Sequence, residues 1–330
     1  VRTFNRDSFL NRIFGFLRFA LQSCWVVLTT RCDLVYATST PLTVGLPALV
    51  GKHVMRRKML FEVRDLWPEL PAAMGIIRNR VVLGGLNWFE GRCYGSADAC
   101  VGLAPGIVAG ILKKAPGKRV ELIPNGCDLE LFGSWPSTGL GSLCEKIEDG
   151  KWEMECEKGV TATFCGAHGR ANGLHAVLDA AAELMRRGRS DIHLQFVGDG
   201  QLKPDLQTRA AEEGLENCRF VEPVPKRKMP EILGRSDVGL MVLADVPAFQ
   251  YGTSPNKFFD YIAAGIPVLC NYPGWIAEML DEHDCGRSVP PGDAAAFADA
   301  LEELADDPAL RREMGERSRQ LARARFDRDR

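Results

Sequence analysis

None of the eleven cysteines forms a CxxC pair, and several sit among apolar residues, as in "CDLVYA" and "ATFCG". That excludes a zinc ribbon and argues for reduced, buried thiols in a cytoplasmic protein rather than a disulfide framework. The five histidines show no HExxH or other ligand spacing, so the sequence offers no metal site. Neither sign of charge dominates, and a net charge of -2 gives no general pull toward nucleic acid. Long uninterrupted apolar runs are missing too. The most hydrophobic stretch, Phe9 to Leu28, contains Arg12, Arg18 and Gln22 and is too broken for a membrane span. It reads as a buried amphipathic helix, or as a face resting on a bilayer beside Arg12 and Arg18. The chain opens with "VRTFNRDSFL", without an initiator Met or a signal-peptide pattern.

What is present is the composition of a globular protein: 46% apolar and 25% charged residues over 330 positions, enough for two domains. Strand-then-helix units recur. "CDLVYATST" predicts a strand, with Pro41 opening a helix through Val50. "KMLFEVRDLWPEL" predicts a strand that runs into a charged, aromatic loop. "LNWFEGRCYGSAD" and Ile107 to Lys114 predict helices, and "ACVGLAPG" and "RVELIPNGCD" strands. Residues 128–159 are rich in Gly, Ser and charge without a clear period and read as a linker or surface excursion.

A second series follows, with strands "VTATFCG", "IHLQFVGDG", "CRFVEPV", "DVGLMVL" and "IPVLC". Helices lie between them over Gly173–Arg187, Leu202–Glu213, Lys228–Gly234 and Pro255–Ala264. Alternation of this kind predicts parallel sheets covered by helices, hence two Rossmann-like domains. The expected division is an N-terminal domain over 1–127, the linker 128–159, a C-terminal domain over 160–310 and a helical tail over 311–330. In such sheets ligands bind beyond the carboxyl ends of the strands.

"YGTSPNKFFDYIAAGIPVLC" carries the sharpest signal. Ser254 is a good N-cap, Pro255 a good first helical residue and Gly265 a good stop. Phe258, Phe259, Ile262 and Ala263 fall at helical spacing, so that face is expected to be buried. Helix N-terminal amides beside Asn256 and Lys257 make an anion site. The alternative is that Ser254 and Asp260 serve only capping and helix solubility.

Taken in order and spacing, "FEVRDLWPEL", "IPNGCDLELF" and "SPNKFFDYIAAG" resemble the group 1, family four retaining glycosyltransferases of GT-B fold. The branch most resembled is bacterial and transfers N-acetylated amino sugars, such as L-fucosamine, in O-antigen or capsule synthesis. The resemblance implies two Rossmann-like domains facing a cleft. It also implies a UDP-sugar donor, no metal or other cofactor, and a lipid-diphosphate-linked or polysaccharide acceptor. The expected place is the cytoplasm, at the inner face of the membrane.

On the donor side the resemblance implies Gly166, His168, Asn172, Gly252, Thr253, Ser254, Pro255, Asn256, Lys257 and Asp260. Lys257 and the amides take the diphosphate, and Asp260 takes the ribose hydroxyls. The family's first acidic residue, eight positions before Asp260, is Gly252 here. The family's Arg and Lys after the second domain's first strand are replaced by Ala167 and Asn172, with His168 and Arg170 as local substitutes. A histidine in that Gly-rich turn is structural or a ligand contact. On the acceptor side Arg64 and Asp65 are the candidate catalytic pair, with Thr40, Trp67 and Glu69 around them. A carboxylate there orients or deprotonates a hydroxyl, and an arginine pairs with phosphate. A structural ion network over Arg64, Asp65 and Glu69 is the alternative.

The family's opening strand and Gly-Gly loop have no match before Arg6, so the first domain is expected to be incomplete at its start. Two other functions remain open: a UDP-N-acetylhexosamine epimerase of the same fold, or a nucleotide-binding subunit without turnover.

Overall fold

The computed structural model describes residues 9–133 and 159–329. Most of the expected linker 128–159 therefore lies outside the described residues, as does the side chain of Arg12. The chain divides into two compact units. One takes residues up to Pro124 together with Val246–Ser254, and the other takes Asn125–Asp245 and Pro255–Arg330. This differs from the division expected at 127 and 160. A segment of the second half belongs to the first unit, and residues 311–330 are part of the second unit rather than a tail.

The first unit runs α1 (Phe9–Thr29), β1 (Leu34–Thr38), α2 (Gly45–His53), β2 (Lys58–Val63), α3 (Glu69–Ala73), α4 (Arg80–Ser96), β3 (Ala99–Gly102), α5 (Pro105–Lys114) and β4 (Val120–Leu122). The four strands pair in parallel in the order β1-β2-β3-β4. In β2 alternate residues Met59, Phe61 and Val63 are fully buried, and Phe61 meets Tyr94 of α4 edge-to-face at 6.0 Å. β1 lies at the sheet edge, with Leu34 and Tyr36 about half exposed at 49% and 53%. α1 packs on α2 and buries Ala20, but Phe14, Leu17, Leu21, Trp25 and Leu28 stay exposed. The buried-helix reading of this stretch thus holds for one side only. Among the described residues no helix is long and apolar enough to cross a membrane.

The second unit holds α6 (Leu129–Gly133), β5 (Val160–Cys165), α7 (His175–Arg186), β6 (Ile192–Val197), α8 (Lys203–Glu212), β7 (Cys218–Val221), α9 (Met229–Leu233) and β8 (Val238–Met241). Then α10 (Pro247–Tyr251) goes with the first unit. The chain returns with α11 (Asn256–Ala264), β9 (Val268–Cys270), α12 (Trp275–His283), β10 (Gly286–Ser288), α13 (Ala294–Asp306) and α14 (Pro308–Arg325). The six strands pair in parallel in the order β10-β9-β8-β5-β6-β7. β8 and β9 are buried throughout, the pattern of parallel strands covered on both faces.

The chain winds from β5 outward through β6 and β7, then restarts at β8 on the other side. The topological switch point therefore lies between β5 and β8, where open α/β sheets take their ligands. α13 and α14 start under the side chains of Asp293 and Asp307, which accept from the amides of Ala296 and Leu310 at 2.9 Å each. α14 packs along α11, and Arg319 Nη2 donates to the Ala264 carbonyl at 2.9 Å.

An edge strand paired on one side only opens before a central one. Amide hydrogen exchange is expected to be faster in Leu34–Thr38 than in Leu194–Val197. Equal protection in the two segments would contradict this account of β1.

Candidate functional site

The site is built around α11. Its apolar face is buried as the spacing predicts, with Phe258, Phe259, Ile262 and Ala263 at 1% exposure or less. Tyr261 fixes its height on the sheet. The Tyr261 hydroxyl accepts from the Cys165 amide at 2.9 Å and donates to the Leu240 carbonyl at 3.3 Å, tying α11 to β5 and β8. The ring fits because position 239 has no side chain; a Cβ there would lie 2.5 Å from the Tyr261 ring. The helix ends at Gly265, whose left-handed φ of 73° suits glycine. Its start differs by one residue from the expected place: Pro255 is the N-cap and Asn256 the first helical residue, so Ser254 lies one position before the cap.

Anchored this way, the first turn of α11 places Lys257 at the end of β5. Its ammonium lies 4.0 Å from the centre of the Phe164 ring and donates to Asn172 Oδ1 at 2.7 Å. Asn172 is itself oriented by its Nδ2, which donates to the Ala167 carbonyl at 2.7 Å. Gly166 is beside them, its absent Cβ 3.7 Å from the Lys257 ammonium. Burial lowers the pKa of Lys257 to about 7, and the Cys165 thiol opposes the shift. The structure therefore brings Gly166, Asn172 and Lys257 together at the switch point. The loop after β8 closes on the same place, with the Ala244 amide donating to the Ala171 carbonyl at 3.0 Å.

His168 is fully buried. Its ring sits 6.1, 6.3 and 6.4 Å from Phe164, Phe196 and Phe220, and neither nitrogen has a partner among the described residues. Burial, then the Lys203 charge, lowers its pKa to about 4, so the ring is neutral at physiological pH. Asp260 is one turn along α11 from Lys257. Its carboxylate is not open: the Lys226 ammonium reaches both oxygens, and the same ammonium lies 5.3 Å from the Phe132 ring. Burial raises the Asp260 pKa and Lys226 opposes it.

In the first unit, Thr40 and Asp65 join the loops after β1 and β2, with Thr40 Oγ1 donating to Asp65 at 2.9 Å. Thr40 holds this position at a φ of 109°, a region that a β-branched residue rarely adopts. The Arg64 amide donates to Ser39 Oγ at 3.1 Å. Burial raises the Asp65 pKa, while Thr40 and the Arg64 charge lower it. The ion network allowed by the sequence gives way to other partners: Asp65 takes Thr40, and Glu69 accepts from the Tyr251 hydroxyl. Trp67 is half-buried. Gly252 and Thr253 are buried in this unit with α10, and Thr253 Oγ1 donates to the Phe249 carbonyl at 3.0 Å.

Sequence reasoning missed Phe164, Lys226 and Tyr251. Phe164 had a signal in its place at the end of a predicted strand; the other two had none. Among the described residues no group of three or more His, Cys, Asp or Glu is placed to hold a metal ion. A lysine with only an amide oxygen and a ring face for partners, beside a helix N-terminus, is chemically an anion receptor.

Residues 159–307 match the family described as Glycosyl transferases group 1. "Probable glycosyltransferase WbjE" of Pseudomonas aeruginosa is 24% identical over 289 residues, covering 85% of this chain and 69% of that protein. "Lipopolysaccharide core biosynthesis glycosyltransferase LpsE" of Rhizobium meliloti (strain 1021) is 24% identical over 293 residues, covering 84% and 75%. Among solved structures, Anabaena Alr3699/HepE in complex with UDP superposes with a TM-score of 0.70 at 16% identity, covering 94% of this chain and 78% of that one.

The Lys257 side chain is expected to titrate with a midpoint near pH 7. Because Asn172 Oδ1 accepts from the charged form, Asn172→Ala should move that midpoint down. Lysine-selective NMR over pH 5 to 11 reads both; a Lys257 midpoint among those of the exposed lysines would overturn the assignment.

Proposed function

We propose that this chain is a group 1 glycosyltransferase, transferring a sugar with retention from a UDP-sugar to a lipid-linked or polysaccharide acceptor. The setting is bacterial cell-surface polysaccharide synthesis, and the sugar is an N-acetylated amino sugar. One observation carries the reading: Lys257, held by Asn172 and Phe164 at the first turn of α11, waits at the switch point without a carboxylate partner among the described residues. A diphosphate supplies the missing negative charge. In the transition state the leaving UDP gains charge, and Lys257 with the helix amides stabilises it. That is the task a divalent ion performs in other transferases, so the reaction is metal-independent.

Asp260 receives the ribose hydroxyls. Asp65 orients or deprotonates the acceptor hydroxyl, and Arg64 pairs with the acceptor's phosphate. A carboxyl with a raised pKa, held by Thr40, suits a group that must take a proton and release it. A lipid-linked acceptor brings the chain to a membrane. The exposed apolar residues of α1, a helix with no acidic side chain, offer a face for that contact.

Lys257→Ala and Asp260→Ala are each expected to weaken UDP binding by about 1–3 kcal/mol, the loss usual for a hydrogen bond to a charged group. Calorimetry checks this, and wild-type affinity in both variants would remove the site assignment. Transfer is checked by incubating the chain with labelled UDP-N-acetylhexosamines and a membrane extract, with and without a chelator. Labelled glycolipid that persists in the chelator supports the reading, and the chain should sediment with the membranes. An altered free nucleotide sugar would indicate an epimerase, and no product a binding subunit.

A further inference from the structure

The nucleotide reading gives Asp260 two adjacent ribose hydroxyls. In the structure both oxygens of that carboxylate belong to Lys226. The two partners differ in how firmly they are held. The Asp260 side chain is 16% exposed and fixed on α11, while Lys226 is 52% exposed and comes from the short turn Lys226–Lys228 after β7. Of the two, the lysine is free to leave. A vicinal diol needs both carboxylate oxygens at once, and a single ammonium astride them occupies the same edge.

We propose that Lys226 is a specificity-determining residue for the nucleotide: a ribonucleotide binds by exchanging the Lys226 ammonium for its 2′- and 3′-hydroxyls on Asp260. The inference rests on the UDP-sugar reading above. The exchange is feasible because half-exposed ion pairs hold weakly, whereas a carboxylate this enclosed must keep some donor. Among the described residues, the neighbouring cations Arg328 and Lys257 are already engaged. Asp128 faces Asp260 and is itself paired with Arg328 at 2.7 Å, and Lys257 is engaged by Asn172 and Phe164. Once displaced, the lysine has the Phe132 ring and solvent within reach. A ligand without the diol cannot replace the ammonium and binds beside an intact ion pair. Selectivity for ribose is therefore reduced by whatever the ion pair contributes to the free site.

The test compares UDP with 2′,3′-dideoxy-UDP by calorimetry at pH 8. In Lys226→Met, which keeps the length of the stem, UDP is expected to bind several-fold more tightly. The dideoxy nucleotide should change less than twofold, so the ratio of the two affinities widens at least threefold. In Lys226→Met with Asp260→Asn the ratio should fall below that of the wild type. Parallel changes for both ligands, or weaker UDP binding in Lys226→Met with its melting temperature unchanged, would overturn the exchange and leave the UDP reading standing. Failure of UDP to bind the wild-type chain would remove both.

Discussion

The hydroxyl of Tyr261 is the interaction on which the rest of the site depends. Through it one helix is bonded to the two strands, β5 and β8, between which the winding of the sheet reverses. A helix only packed against a sheet slides and rotates at small cost. One bonded to two backbones, with its ring seated over a glycine, has a single height and a single rotation. Lys257 lies about one turn before Tyr261, and its place over Phe164 follows from that fixed rotation. The burial that lowers the Lys257 pKa follows from the same constraint, as does the direction in which Asp260 points.

The two units use one arrangement for different ends. In both, the polar side chains collect where parallel strands finish, because there the backbone leaves the sheet and has amides and carbonyls to spare. In the second unit the result is a cationic centre with neutral partners. In the first it is a carboxyl held by a hydroxyl, with arginine charge nearby.

The sequence made local features readable and left distant ones hidden. The buried strands of the second unit and the apolar face of α11 follow from periodicity and breakers alone, and the helix start was off by a single residue. β10 and α12 escaped because Gly286–Ser288 carry no apolar side chain to set a pattern, and α12 starts after Gly274 without a capping side chain. Lys226 sits in "PKRKMP", which reads as a solvated charge run; only the fold brings it to Asp260, 34 positions later. Tyr251 and Glu69 meet across 182 positions, and that pairing assigns α10 to the first unit. His168 left two readings open in the sequence. Its aromatic surroundings come from three strands, which no single stretch of chain reveals.

The closing stretch of the second unit has a consequence for the order of events in the cell. α14 lies along α11, and Arg319 caps the carbonyl end of that helix. Beyond it, the Phe326 ring packs on Phe259, and its carbonyl accepts from the Cys127 amide at 2.6 Å. Residues near the start of the unit thus wait for residues near its finish. On the ribosome the strands of the sheet emerge first, while the helix that carries Lys257 lacks its last neighbour until about residue 326 has cleared the exit tunnel. Nascent chains should therefore reach a sheet-containing form well before α11 is fixed, and the setting of Lys257 should form late and all at once.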